Sequence, residues 1–240
     1  MKGIVLAGGL GTRLYPITKV LNKHILPLYD RPMFFWPLKN LIDSGITEIA
    51  VVSGPPFGIQ VKKMIKDLPK VKNVKVHYIF QPKPSGMPDA IAKCRKIFKG
   101  SDIIVIAGDN YYNSNFKKEV STFTTGAISF LRKVKDPKRY GVPIYKNLKL
   151  IRIKEKPKNP KTNWVITGPH LFDKDVFKFI DTLKPSKRGE LEIADLNTIY
   201  IKNNKLKLIK RNDLWGDSGT FDSLLEIATI AKNYVKTQQR

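Results

Sequence analysis

The chain has 240 residues, with 44 Lys and Arg against 20 Asp and Glu, for a formal net charge of +24 and an isoelectric point near 10.0. At 42% hydrophobic and 27% charged residues this is the composition of a folded globular chain, not of a disordered one. No apolar run approaches the roughly 18–20 residues that span a bilayer, and the single cysteine, Cys94, excludes an internal disulfide and a multi-cysteine metal site.

In chain order, Lys2 to Ala7 is an apolar, β-branched run that ends in glycines and predicts a buried first strand entering a loop. No small-residue cleavage site follows a long apolar stretch there, so a secretory leader is not expected and the cytoplasm is the expected location. A helix is predicted over Phe34 to Ser44, stopped by Gly45, then a strand at Glu48 to Ser53. An amphipathic helix follows from Gly58 to Leu68, with apolar Ile59, Val61, Met64, Ile65 and Leu68, and then a strand from Val74 to Phe80. Pro88 suits the first turn of a helix running to Phe98, and Asp102 to Ala107 is a nearly continuous β-branched strand. Strands alternating with helices at this spacing predict a mostly parallel, Rossmann-like α/β sheet with helices on both faces.

After Gly126 the texture changes. Ala127 to Val134, Gly141 to Tyr145, Leu148 to Lys154 and Trp164 to Phe172 read as strands separated by turns, so an inserted antiparallel portion is expected. Helices over Lys174 to Leu183 and Glu190 to Lys202, a strand at Lys205 to Lys210 and a helix from Phe221 to Val235 complete the pattern. With no internal repeat, low-complexity segment or Ser/Pro-rich linker, residues 1–240 are read as one domain. Within it, the change of texture separates 1–125 from 126–220, and 221–240 is a C-terminal helix.

The positive charge favours anionic partners. The lysines are dispersed, with small clusters such as Lys62-Lys63 and Lys117-Lys118, and no basic tail, zinc-finger spacing or aromatic-basic ribonucleoprotein motif occurs. Specific nucleic-acid binding is therefore not expected, and phosphorylated small molecules fit better. Gly8-Gly9-Leu10-Gly11-Thr12-Arg13 directly follows the first strand. Such a loop lets backbone N–H groups approach phosphate oxygens, and Arg13 adds a fork-shaped cation. It is neither a dinucleotide fingerprint, because Leu14 stands where the third glycine belongs, nor a Walker A loop, because Gly-Lys-Ser/Thr is missing.

LAGGLGTRLYPIT, followed by Lys23 in NKHILPLYDRPM, resembles the sugar-1-phosphate nucleotidyltransferase superfamily. QPKPSG (81–86), AGDN (107–110), RYGV (139–142), EKP (155–157), TGPHLFD (167–173), KPSKRGELEIADLN (184–197) and WGDSGT (215–220) narrow the resemblance to its glucose-1-phosphate thymidylyltransferase branch, across nearly the whole chain. The reaction this implies is attack by a sugar-1-phosphate oxygen on the α-phosphorus of dTTP, giving dTDP-glucose and pyrophosphate with Mg²⁺. Both reactants are polyanions, so positioning and charge neutralisation carry most of the catalysis.

The resemblance assigns Gly8, Gly9, Gly11, Thr12 and Arg13 to the triphosphate, with Arg13, Lys23 and Asp109 as catalytic residues. It puts Gln81 and Gly86 at the base, and Gly141, Glu155, Lys156, Thr167 and Gly168 at the sugar phosphate, with Arg188 a weaker phosphate candidate. It brings Asp109 and Asp217, 108 positions apart in the sequence, together as Mg²⁺ ligands, and implies that 1–125 is mainly nucleotide-binding and 126–220 mainly sugar-binding with the second metal ligand. His24, His77 and His170 form no metal set. Leu10, His24, Met87-Pro88-Asp89, Pro143-Ile144 and Pro169-His170 depart from the branch pattern, which leaves the same reaction with UTP or another sugar 1-phosphate as the alternative. The chain stops short of the branch's C-terminal segment, so weak or absent feedback inhibition is expected, and homo-oligomers are the family habit. A silent nucleotide-sugar sensor is the remote alternative.

Overall fold

The computed structural model of the chain describes residues 1–68 and 71–238. In chain order the elements are β1 (Lys2–Leu6), β2 (Pro27–Leu28), β3 (Arg31–Pro32), α1 (Phe35–Asp43), β4 (Glu48–Ser53), α2 (Gly58–Asp67) and β5 (Lys75–Phe80). Then come α3 (Met87–Lys93), α4 (Arg95–Phe98), β6 (Ile103–Ala107), β7 (Asn110–Tyr112), α5 (Lys117–Thr122), β8 (Ala127–Lys133), β9 (Gly141–Lys146), β10 (Lys149–Glu155) and β11 (Trp164–Phe172). The chain continues with α6 (Val176–Asp181), α7 (Ile193–Lys202), β12 (Leu206–Lys210), β13 (Trp215–Asp217) and α8 (Phe221–Gln238). Two compact units emerge: Lys2–Pro84 with Ile106–Ser121 and Asp213–Arg240, and Ser85–Val105 with Thr122–Asn212.

In the first unit β1, β4 and β5 pair in parallel, Gly3 opposite Ile49 and Glu48 opposite Lys75. Ile4, Val5, Ile49, Ala50, Val51 and Val52 are buried, as strands covered on both faces must be, which is why they read as continuous apolar runs and not as alternations. A second apolar cluster joins Leu14, Leu26, Leu28, Met33, Trp36 and Tyr111 to Ile227, Ala231 and Val235 of α8. The Trp36 and Tyr111 rings meet edge to face at 5.3 Å. A short antiparallel pair, β7 with β13, sets Asp217 opposite Asn110.

The second unit is built on β11, antiparallel to β8, to β9 and to the start of β6 (Phe172 opposite Ile103). β9 pairs with β10, so the antiparallel portion expected after Gly126 is present, and β12 joins β8 in parallel. Leu131, Ile153, Ile166 and Ala194 form a core on which α7 lies. Two buried polar clusters brace it. Asp173 accepts from the Tyr200 hydroxyl at 2.9 Å and from the Gly126 N–H at 2.7 Å. Burial, then the Asp173 charge, push the Tyr200 pKa up, so that hydroxyl stays a donor. Ser129 meets His170 Nδ1 at 2.8 Å and donates to Asn197 Oδ1 at 3.1 Å, and burial lowers the His170 pKa to about 4.

Three expected helices change. The one expected over 88–98 divides at Cys94, where the ladder tightens to an i→i−3 bond from Cys94 N to Ile91 O at 2.9 Å. The one expected from Glu190 starts at Ile193, because Glu192 is still extended (φ −97°, ψ 135°) and takes the N-cap position, while the Leu191 N–H before it donates to Ser85 O at 2.9 Å. The one expected over 174–183 shortens to Val176–Asp181. Among the described residues no helix is long and apolar enough to cross a membrane.

Candidate functional site

In the first unit the polar candidates sit where strands end. The glycine loop follows β1, Pro55-Pro56-Phe57 follows β4, Gln81 follows β5 and Asp109 follows β6, the carboxyl-end placement at which open α/β sheets hold ligands. Gly11 adopts φ 66°, a left-handed conformation suited to glycine, and its carbonyl accepts from the Thr18 hydroxyl at 2.7 Å. Thr12 and Arg13 begin a 3-10 turn, are exposed, and lie beside this loop. A cavity of about 140 Å³ opens next to Gly8 and Gly9, lined also by Tyr15, Thr18, Asn22 and Phe57.

Lys23 is buried beneath the loop. A Cβ on Gly11 would lie 2.9 Å from Lys23 Cβ, and one on Gly9 would lie 3.3 Å from Lys23 Cε. The glycines are therefore also the space through which the lysine stem runs. Its ammonium forms an ion pair with Asp109 Oδ2, while Asp109 Oδ1 accepts from Asn110 Nδ2 at 3.0 Å. Burial, the largest single influence, pushes the Asp109 carboxyl up, but the Lys23 charge and its hydrogen bond, with smaller contributions beside them, together outweigh it and hold the pKa below the ordinary carboxylate value. His24, buried beside them, has its pKa lowered to about 3 by burial and by Lys23, so it is neutral at physiological pH; its Nδ1 faces Asn22 Oδ1 at 2.9 Å.

The β7–β13 register brings Asp217 to this place, and the Ser218 N–H donates to the Asp109 carbonyl at 2.9 Å. A Cβ on Gly219 would fall 2.5 Å from Arg13 Nη2 and 2.6 Å from Asp217 Oδ1, so both side chains converge on the space this glycine leaves. Gln81 is buried, and its side-chain oxygen would lie 3.1 Å from a Cβ on Gly8. Gly8, Gly9, Gly11, Thr12, Arg13, Lys23, Gln81, Asp109 and Asp217 thus belong to one compact unit.

The remaining candidates belong to the other unit. Glu155 pairs with Gly141 in register, and Gly141 pairs in turn with Ile166, the neighbour of Thr167. Lys156 Nζ lies 3.9 Å from Glu155 Oε1. Burial raises the Glu155 pKa, Lys156 and Arg188 oppose that, and Glu192 and Glu190 add to it. Arg188 grips Glu192 at 2.8 Å and Glu190 at 3.4 Å. Thr167 is 3% exposed, and its hydroxyl has no hydrogen-bond partner among the described residues. Between Thr167 and His170, the stretch holding Gly168, the register of β11 against β8 shifts. Gly86 has φ 98° and stands so close to Leu191 that a Cβ would lie 2.1 Å from its carbonyl oxygen.

Sequence reasoning missed Asn22, Gly54, Glu192 and Gly219. Asn22 caps the turn carrying Lys23, accepting from the His24 N–H at 2.9 Å and donating to Ala7 O at 3.4 Å. Gly54 leaves room for the Gln81 carbonyl, which would lie 1.9 Å from a Cβ there. The Arg188–Glu192 spacing of four was a visible signal for an ion pair. Gly219 was inside a quoted motif, but its role depends on Arg13, 206 positions away.

Among the described residues no group of three or more His, Cys, Asp or Glu side chains could hold a metal ion. Asp109 and Asp217 offer two hard carboxylates, a donor set that fits Mg²⁺ completed by phosphate oxygens and water, and does not fit zinc or a soft metal.

The sequence profile described as "Nucleotidyl transferase" matches residues 2–233. A glucose-1-phosphate thymidylyltransferase of Neisseria meningitidis is 38% identical over 245 aligned residues, covering 99% of this chain and 85% of that one. The crystal structure of a Bacillus anthracis chain assigned as a glucose-1-phosphate thymidylyltransferase, in complex with sucrose, superposes with a TM-score of 0.86 at 38% identity, covering 96% of this chain and 95% of that one. A UDP-glucose pyrophosphorylase bound to UDP-glucose gives a TM-score of 0.84 at 21% identity over 97% and 98% of the two chains, a likeness of fold alone.

Proposed function

This chain belongs to the nucleotidyl transferase family, and on that premise we propose that it transfers a thymidylyl group from dTTP to glucose 1-phosphate, giving dTDP-glucose and pyrophosphate. A phosphate oxygen of the sugar phosphate attacks the α-phosphorus of dTTP, the bond from that phosphorus to the oxygen bridging the β-phosphorus breaks, and pyrophosphate leaves with the electron pair. The nucleophile is already anionic at neutral pH, so no general base is needed.

The observation carrying this reading is the convergence of Lys23, Asp109, Asp217 and Arg13 beside the glycine loop in one unit. In it, Gly8, Gly9, Gly11 and Thr12 direct backbone donors to the triphosphate, and Arg13 and Lys23 neutralise charge that builds on the transferring phosphoryl group. Asp109 and Asp217 hold Mg²⁺, which when bound neutralises triphosphate charge and orients the α-phosphate. Gln81 hydrogen-bonds the pyrimidine edge, with Gly86 close to the base. Gly141, Thr167 and Gly168 line the sugar site, where Glu155 accepts from sugar hydroxyls and Lys156 pairs with the sugar phosphate. Residues 1–240 act as one catalytic domain, in the cytoplasm and as a homo-oligomer.

Pyrophosphate release from purified protein, Mg²⁺ and glucose 1-phosphate tests the reading, with dTTP, UTP, CTP, ATP and GTP compared. Preferential turnover of dTTP, lost in Asp109→Asn, is expected. Preference for UTP moves the substrate assignment to the alternative, and silence with every nucleotide and every hexose 1-phosphate overturns it.

A further inference from the structure

Lys23 carries more structure than a phosphate-binding lysine needs. Its backbone is fixed by Asn22, whose side chain reaches Ala7 O and the His24 N–H, and whose own N–H donates to Gln60 Oε1 at 2.8 Å. Its stem fills the channel left by Gly9 and Gly11, and its ammonium ends on Asp109, with both side chains largely buried (10% and 15% exposed). The cation is thus committed to a carboxylate and withheld from solvent.

We propose that Lys23 is an internal placeholder for the divalent cation: its ammonium occupies Asp109 Oδ2 when the site is empty and gives way when the metal binds. The inference rests on the reading of Asp109 as a metal ligand. A largely buried carboxylate without a counter-charge is costly, and among the described residues Lys23 is the ionic partner that Asp109 has. A divalent ion on the same oxygen supplies that charge and repels the ammonium, so one oxygen serves one cation at a time. The displaced ammonium is then available to phosphate oxygens. Cation loading and release of Lys23 become one coupled event, and the empty site stays neutral and assembled.

The test is Mn²⁺ binding without nucleotide, followed by electron paramagnetic resonance and by calorimetry. Lys23→Met removes the competitor and keeps the stem, so its Kd for Mn²⁺ falls by about tenfold or more, whereas Lys23→Arg stays near the wild type. An unchanged or weaker affinity in Lys23→Met overturns the placeholder. Asp109→Asn separates the two claims. If it binds Mn²⁺ like the wild type, the metal-ligand reading has failed. If it loses Mn²⁺ while Lys23→Met is unchanged, the placeholder alone has failed. Should Lys23→Met not fold, nitrogen-15 NMR of the wild-type lysine ammonium groups decides: the Lys23 signal shifts as Mg²⁺ saturates, and a signal that stays put refutes the proposal.

Discussion

Replacing Gly219 with alanine tests whether Arg13 and Asp217 must lie abreast. The new Cβ would stand 2.5 Å from Arg13 Nη2 and 2.6 Å from Asp217 Oδ1, where ordinary contact begins at 3.4 Å, so the two groups must retreat by about 0.9 Å and about 0.8 Å. Both obstacles are tips of side chains, and Arg13 is exposed, so the displacement costs little stability: below about 1 kcal/mol, or a fall in Tm of at most about 2–4 °C. The same movement is large for chemistry, since misplacing a catalytic group by about 1 Å can cost on the order of 100-fold in rate. Steady-state kinetics with dTTP and glucose 1-phosphate, paired with a thermal melt, read both quantities. The expected result is kcat/KM reduced about 100-fold in a protein that melts near the wild type. Wild-type kinetics in a folded Gly219→Ala protein would refute the argument. Gly54→Ala supplies the contrast: its Cβ meets the Gln81 carbonyl at 1.9 Å, a backbone atom that cannot swing aside, so this variant loses about 1–3 kcal/mol of stability.

Other outcomes follow from the same geometry. Asp173→Asn deprives the Tyr200 hydroxyl and the Gly126 N–H of a charged acceptor, and should cost about 2–3 kcal/mol, read as a lower urea midpoint. Glu48 is held at a pKa of about 2 by Lys2 and His77, below its ordinary 4.5, so the stability it contributes is complete above about pH 4.5 and is lost as pH falls toward 2. The Glu48 side chain is a quarter exposed and its Lys2 partner a third, so solvent screens the pairing and the effect is below about 1 kcal/mol; Glu48→Gln should flatten that part of the stability–pH curve. Chelation with EDTA should stop pyrophosphate release while circular dichroism stays unchanged, and added Mg²⁺ should restore turnover; turnover that persists in EDTA would count against metal dependence.

The long elements were legible because their patterns are local. β4 and β11 fall on their expected residues, since buried parallel strands and long antiparallel ones both show in a few consecutive side chains. β7 and β13 were not foreseen: three residues each are too few for an alternation, and their pairing is set by α8 and the Trp36–Tyr111 cluster. α5 was hidden by a polar KKEVST stretch with no apolar stripe. The glycine loop, Lys23 and Asp109 were visible as motifs, but neither their convergence nor that of Asp217 follows from spacing. Registers, and the space that Gly9, Gly11 and Gly219 leave for Lys23, Arg13 and Asp217 to fill, create it, and both are tertiary facts.

The most direct test of the central claim is phosphorus NMR of the reaction run with glucose 1-phosphate carrying oxygen-18 in its three non-bridging phosphate oxygens. Attack by the sugar phosphate on the α-phosphorus of dTTP predicts dTDP-glucose that keeps all of the label, one atom of it in the new phosphate–phosphate bridge, and unlabelled pyrophosphate. Label appearing in pyrophosphate, or in free inorganic phosphate, would contradict nucleotidyl transfer as the reaction of this chain.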